Sequence, residues 1–206
     1  MRPVRFVTPP LGANVYLLLD EKPSLIDVGG DSMFIIKALS RYINPKEIKF
    51  IFLTHSHFDH AMAAPDLRKW FGCKVVLHEK EYGLVKRGYD LFGYRFYFEP
   101  DIIVRGGEVF DLGELEIEVI HTPGHTAGSV CYYERKNKWL FSGDTVFKFG
   151  FGRVDLPSGN RYELIESLKR LSKLEVVCLY PGHEDIVEGN ADRYIARNLE
   201  IAMSLL

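Results

Sequence analysis

The chain has 206 residues, 47% of them hydrophobic, with a formal net charge of -2 and a pI near 6.4. That length and apolar content suit one α/β domain over residues 1–206, and the charge balance lacks the basic face that a nucleic-acid partner demands. The three cysteines, Cys73, Cys131 and Cys178, include no C-x-x-C pair, which argues against a disulfide framework or a zinc ribbon and for buried small hydrophobes.

The N-terminal stretch MRPVRFVTPPLGANVYLLLD has its longest apolar run at Val15–Leu19. That run is too short for a signal-peptide core or a membrane span, so the expectation is a cytoplasmic protein with no membrane partner. Val15–Leu19 and Ser24–Val28 read as strands joined by the turn Asp20–Pro23. Asp31 or Ser32 then caps a helix running to about Tyr42, with Phe34, Ile35, Ala38 and Leu39 at helical spacing. The continuous apolar run Ile48–Leu53 predicts a buried strand. Ala61–Phe71 follows as a helix ended by Gly72, then a strand at Lys74–Leu77 and a helix at Glu79–Lys86.

Gly88–Pro100, GYDLFGYRFYFEP, is rich in aromatics and glycine without a period. Such a loop either packs over the core or lines a pocket. Beyond it, Glu114–Ile120 alternates as a half-buried strand, and Val130–Tyr133 and Trp139–Phe141 make a hairpin across Lys136-Asn137. Arg161–Leu171 is an amphipathic helix, Val176–Leu179 a strand and Ala191–Leu205 a closing helix. Strands gathered into two sheets with helices outside predict a four-layered α/β architecture.

The chemistry concentrates at 54-THSHFDH-60, where a buried strand ends and a helix begins. His55 and His57, two apart, point to one side of extended backbone, while Asp59 and His60 fall where the chain turns into the helix. Four such groups on one loop suit two adjacent metals, or one metal with supporting groups, because a desolvated polar cluster is unstable without a cation to pair it. Three further candidates each follow an apolar strand: His125 in HTPGHTAGS, Asp144 in LFSGDTVF and His183 in YPGHED. His78 and His121 read as structural.

In order along nearly the whole chain, the strand ending Ile26-Asp27-Val28-Gly29, the H-x-H-x-D-H at His55–His60, the H-T-P-G-H-T ending near His125, the S-G-D-T at Asp144 and the P-G-H at His183 resemble the metallo-β-lactamase superfamily. The resemblance implies an αββα sandwich with a metal site along one edge of its two sheets. It implies that His55, His57 and His125 hold one metal, that Asp59, His60 and His183 hold a second, and that Asp144 bridges both. Asp27 resembles the family's aspartate that orients the ligands. Neutral imidazoles and carboxylates suit zinc first, with iron or manganese as alternatives. Such a metal pair can bring the pKa of a held water towards about 7 and present hydroxide as nucleophile.

Departures from the pattern narrow the branch. Relatives of flavodiiron type carry glutamate where this chain has His57, and classical zinc β-lactamases carry cysteine in place of Asp144 and are secreted. RNA-processing relatives carry an added substrate arm. The segment GDTVFKFGFGRVDLPSGN resembles small glyoxalase II-like hydrolases and persulfide dioxygenases. The glutathione site of larger glyoxalase II enzymes, which involves a separate helical domain, does not carry over. Arg153 reads as a structural partner of Asp155 ahead of a contact to a substrate carboxylate. The leading reading is a metal-dependent hydrolase of thioesters or related esters, acting on a small molecule, with Asp59 as the catalytic acceptor. A mononuclear iron persulfide dioxygenase is the alternative, and a non-catalytic metal-stabilised module the third.

Overall fold

The structure, a computed structural model, describes residues 2–86 and 97–205. Most of the aromatic stretch 88–100 therefore lies outside the described residues. The chain forms two compact units, Met1–Val104 with Asp111–Leu115, and Arg105–Phe110 with Glu116–Leu206. Among the described residues no helix is long and apolar enough to cross a membrane.

The first unit is built on a six-stranded sheet whose spatial order follows the chain: β1 (Val4–Thr8), β2 (Ala13–Leu18), β3 (Ser24–Ile26), β4 (Phe50–Phe52), β5 (Lys74–His78) and β6 (Ile102–Val104). β1, β2 and β3 pair antiparallel, whereas β3 to β6 run parallel. Parallel neighbours need crossovers. These are supplied by α1 (Ser32–Leu39), by α2 (Phe58–Ala61) with α3 (Ala64–Phe71), and by α4 (Glu79–Lys86). Ile35 and Leu39 of α1 and Ala64 and Leu67 of α3, at i, i+4 and i, i+3, join Leu17, Leu25, Ile51 and Val75 in one buried cluster.

The second unit carries β7 (Val109–Asp111, its last residue counted with the first unit), β8 (Glu116–His121), β9 (Val130–Glu134), β10 (Trp139–Gly143), β11 (Cys178–Pro181) and β12 (Val187–Glu188), again adjacent in chain order. β8–β9–β10 is an antiparallel meander and β10–β11 is parallel. α5 (Arg161–Leu171) joins that parallel pair, and α6 (Asp192–Ser204) follows β12. Leu164, Leu168 and Leu171 of α5 and Ile195 and Ala202 of α6 pack with Cys131, Leu140 and Leu179. Asn160 caps α5 by accepting from the Tyr162 and Glu163 amides.

Several element bounds differ from those expected, among them three at helices or strands. The helix expected to reach Tyr42 ends at Leu39, where the Ser40 hydroxyl turns back onto the Ile36 carbonyl at 2.8 Å ahead of Asn44-Pro45. The helix expected over Ala61–Phe71 is two, broken at Met62-Ala63. Pro65 lacks an N–H, and in a continuous helix its ring would strike the carbonyl of Ala61. The strand expected at Val176–Leu179 is shifted to Cys178–Pro181.

What the fold does for chemistry is repeated at several strand ends. β3 ends just before Asp27, β4 at the loop leading to His57, β8 at the turn carrying His125, β10 just before Asp144, and β11 just before His183. Carboxyl ends of strands are where α/β folds place reactive side chains.

Candidate metal centre

In the first unit the site grows from Asp27. Its φ of 56° takes the chain out of β3, and its buried carboxylate turns towards the end of β4. Oδ1 accepts from the Thr54 amide at 2.7 Å, and Oδ2 accepts from the Thr54 hydroxyl at 2.7 Å. The Thr54 proton is thereby committed, so Thr54 Oγ1 accepts from Nδ1–H of His55 at 3.1 Å, leaving the lone pair on His55 Nε2. That lone pair lies 3.0 Å from Nδ1 of His57.

Asp27 Oδ2 also accepts from Nδ1–H of His60 at 2.8 Å, so His60 likewise presents an Nε2 lone pair. It faces a carboxylate oxygen of Asp59 at 3.7 Å. His55, His57, Asp59 and His60 are all buried, His60 completely. The turn that carries Asp59 and His60 docks by backbone hydrogen bonds, Val28 N to His60 O at 2.7 Å and Ala63 N to Val28 O at 3.0 Å. Gly29 permits that approach, because a Cβ there would fall 1.4 Å from the Asp59 carbonyl oxygen.

Ser56, between the two histidines, is held from the other side. Glu81 of α4, fully buried, accepts from the Ser56 amide at 2.8 Å and from its hydroxyl at 2.6 Å through one oxygen, Oε2. The peptide that sets the directions of His55 and His57 is therefore anchored on a helix. The sequence reading did not single out Glu81 or Thr54.

In the second unit the turn after β8 places His125. Gly124, at φ 140°, packs so closely that a Cβ would lie 2.4 Å from backbone atoms of Leu164. Thr126 and Ser129 close the turn through their hydroxyls at 2.6 Å. Nδ1–H of His125 donates to the Arg153 carbonyl at 2.7 Å, which puts the lone pair on Nε2. That atom lies 3.6 Å from Oδ2 of Asp144, and Nε2 of His183 lies 3.7 Å from the same oxygen. Gly152 makes room for this arrangement: a Cβ there would meet the Asp144 carbonyl oxygen at 1.9 Å and Nδ1 of His125 at 2.9 Å.

These contacts fit a cation. His125 Nε2 against Asp144, and His60 Nε2 against Asp59, set a lone pair against a carboxylate oxygen at distances too long for a hydrogen bond. Two atoms ligating one metal at about 2.0–2.2 Å lie roughly 3–3.6 Å apart. His55, His57, Asp59, His60, His125, Asp144 and His183 all belong to His/Asp groups able to hold a metal ion.

The remaining candidates take structural places. His78 accepts from the Lys80 amide at 3.1 Å at the start of α4. The His121 ring lies 3.0 Å from the Ala127 carbonyl, and its own carbonyl accepts from Arg170 at 2.6 Å. The Arg153 side chain makes two hydrogen bonds to Asp155, at 2.8 and 2.6 Å, and holds that exposed carboxyl down to about 2. All three cysteines are free and buried, and burial pushes the Cys73 and Cys131 thiols up to about 11, away from any role as thiolate.

The family model described as the metallo-beta-lactamase superfamily matches residues 8–183. A probable metallo-hydrolase of Methanocaldococcus jannaschii is 34% identical over 194 residues, covering 88% of this chain and 92% of its own. A hydroxyacylglutathione hydrolase of Haemophilus influenzae is 31% identical, covering 84% and 82%. Among solved structures, the B3 metallo-β-lactamase BLEG-1 superposes with a TM-score of 0.82 at 29% identity over 97% of both chains. A protein solved in a di-iron-bound form gives 0.80 at 31% identity over 96% and 98%. The likeness bears out the metallo-β-lactamase-like α/β fold expected from the sequence.

Proposed function

The chain belongs to the metallo-β-lactamase superfamily, and from that premise we propose that it is a hydrolase of thioesters or related esters of small molecules, dependent on two divalent metals. Following the family's motif positions, His55, His57 and His125 hold one metal, Asp59, His60 and His183 the other, and Asp144 serves both. The observation that carries this reading is Asp144 Oδ2, which faces the Nε2 atoms of both His125 and His183 at 3.6 and 3.7 Å. One carboxylate oxygen held between two imidazoles is the arrangement of a shared ligand. Zinc is the proposed metal; the di-iron form of a relative at 31% identity keeps iron in the experiment.

When bound, such metals polarise a carbonyl and make water acidic enough to ionise near neutral pH. The protein's own groups set the geometry. Asp27 and the Arg153 carbonyl fix the tautomers of His55, His60 and His125, and Glu81 fixes the loop between His55 and His57. The Asp59 carboxylate, buried in the first turn of α2, accepts the proton of the attacking water and directs its lone pair. The C–O bond forms, the C–S bond breaks and the sulfur leaves as thiolate. A thiol of pKa about 8.5 needs no dedicated acid to depart, which agrees with a site built of acceptors.

Support for the substrate class comes from the hydroxyacylglutathione hydrolase relative. The test is a substrate panel on metal-loaded protein: S-lactoylglutathione and a neutral acyl thioester followed by thiol release, a chromogenic cephalosporin, and a persulfide followed by oxygen uptake. Thiol release from a thioester, abolished by a chelator, is the expected result. Oxygen uptake with the persulfide, or cephalosporin opening, with inert thioesters would replace the proposal.

A further inference from the structure

Within the second unit a shallow, open cleft of about 350 Å3 is lined by Gly189, Asn190, Arg193, Tyr194 and Arg197. Arg193 and Arg197 stand one turn apart on the exposed face of α6. Like charges at i, i+4 weaken a helix, and among the described residues neither guanidinium is engaged in an ion pair. Both guanidiniums therefore stand open to solvent and to an anion.

An exposed aromatic ring stands beside the cleft. The turn Phe147–Gly150 is closed by Phe147 N to Gly150 O at 2.9 Å. Buried Asn198 of α6 clamps that turn, accepting from the Gly150 amide at 2.9 Å and donating to the Phe147 carbonyl at 2.8 Å. Glu184, next to His183, accepts from the Phe149 amide at 3.0 Å. These bonds fix the backbone of the turn, and the Phe149 ring it carries is 63% exposed, 6.5 Å from Tyr194 with Lys148 Nζ 5.1 Å from its centroid. On the same turn, Phe147 sits edge-on to His183 at 6.1 Å. Tyr194 of the cleft thus neighbours Phe149, and Phe147 of the same turn neighbours the candidate ligand His183.

We propose that this cleft binds the anionic end of the thiol carrier in the substrate, with Arg193 and Arg197 holding a carboxylate or phosphate and Phe149 and Tyr194 bearing the tail towards His183. The inference rests on the thioester reading above. Planar guanidiniums match either anion with paired hydrogen bonds. A tripeptide thiol such as glutathione would present carboxylates, and coenzyme A would present phosphates.

The test compares wild type with an R193A/R197A double variant, using K173A as a control for lost surface charge. Alanine at exposed helix positions keeps α6 intact. The ratio of kcat/KM for an anionic thioester, of glutathione or of coenzyme A, to that for the neutral N-acetylcysteamine thioester falls by about tenfold or more in the double variant. The carrier whose ratio falls identifies the anion. An unchanged ratio for both overturns the proposal. Calorimetry with S-hexylglutathione and S-ethyl coenzyme A requires no turnover, so it separates this inference from the reading beneath it. Binding to wild type that the double variant loses upholds the cleft even if no thioester is cleaved. Equal affinity in the two proteins, or no binding to wild type, overturns it.

Discussion

One oxygen of Asp27, Oδ2, accepts from the Thr54 hydroxyl at 2.7 Å and from Nδ1 of His60 at 2.8 Å. Through Thr54 the same carboxylate reaches His55, so a single buried acid sets the tautomers of two candidate ligands. Replacing Asp27 by Ala is expected to weaken metal affinity by about 10–100-fold, the usual cost of losing a group that orients ligands. Thr54→Val, which keeps the shape and removes the hydroxyl, moves affinity in the same direction by less, since only His55 loses its partner. Competition with a chromophoric chelator measures both. Unchanged affinity in the two variants would show that these hydrogen bonds do not hold the ligands.

Glu81 offers a test that needs no metal. Its Oε2 receives two hydrogen bonds from Ser56 in a fully buried setting, and Glu81→Ala strands both donors. A loss of about 1–3 kcal/mol in urea unfolding of the metal-free protein is expected. Glu81→Gln retains an accepting oxygen and costs less. If the two variants unfold alike, the anchoring role of the carboxylate oxygen is wrong.

Two glycines are defined by close approach rather than by backbone angle. Gly29→Ala and Gly152→Ala would drive a methyl group to 1.4 Å from the Asp59 carbonyl oxygen and 1.9 Å from the Asp144 carbonyl oxygen. Both are expected to displace candidate ligands, lowering metal content as well as Tm. Gly72→Ala is the contrast: at φ +69° it meets nothing within 4 Å, and only left-handed strain of about 1–2 kcal/mol applies. Metal analysis of the three purified variants separates the cases, with Gly72→Ala alone keeping the wild-type content.

Asp101 supplies a pH dependence remote from the candidate ligands. Its two hydrogen bonds from Arg68, both 2.7 Å, and a third from the Val75 amide hold its carboxyl below the ordinary value, the Arg68 contacts contributing most. A depressed acid stabilises the fold fully above its unfolded pKa, about 3.9, and the contribution disappears as pH falls through the lower folded value. Asp101→Asn should therefore lower stability by about 1 kcal/mol at pH 7, the pair being partly exposed. The gap to wild type should begin to narrow below about pH 4 and close as pH falls through the depressed folded value. Thermal unfolding across pH 2–7 (roughly the span over which carboxylates titrate) reads the effect, and a gap independent of pH would contradict it.

The chain announces its candidate ligands more openly than the groups that hold them. His55 to His60 stand out because so many costly polar groups share one short loop, and His125, Asp144 and His183 because each follows an apolar strand. Thr54, Glu81 and the Arg153 carbonyl carry no such mark. They act across sequence separations of 27, 25 and 28 residues through ordinary hydroxyl, carboxylate and backbone groups. The long, periodic elements were legible, and α5 spans Arg161–Leu171 as its pattern predicts. Strands β6, β7 and β12, with three, three and two residues, are too short to show a period, and β1 is masked by Pro3, Pro9 and Pro10 around it. The break at Pro65 was readable in principle, but the apolar run through Ala61–Ala64 disguised it.

The most direct test of the central claim is a metal titration of chelator-treated protein, with thiol release from S-lactoylglutathione recorded at each added equivalent of zinc or iron. The account predicts no release from the metal-free chain, activity that rises and saturates at two equivalents per chain, and its loss in Asp144→Ala. Saturation at a single equivalent, or no thiol release at any loading, would contradict it.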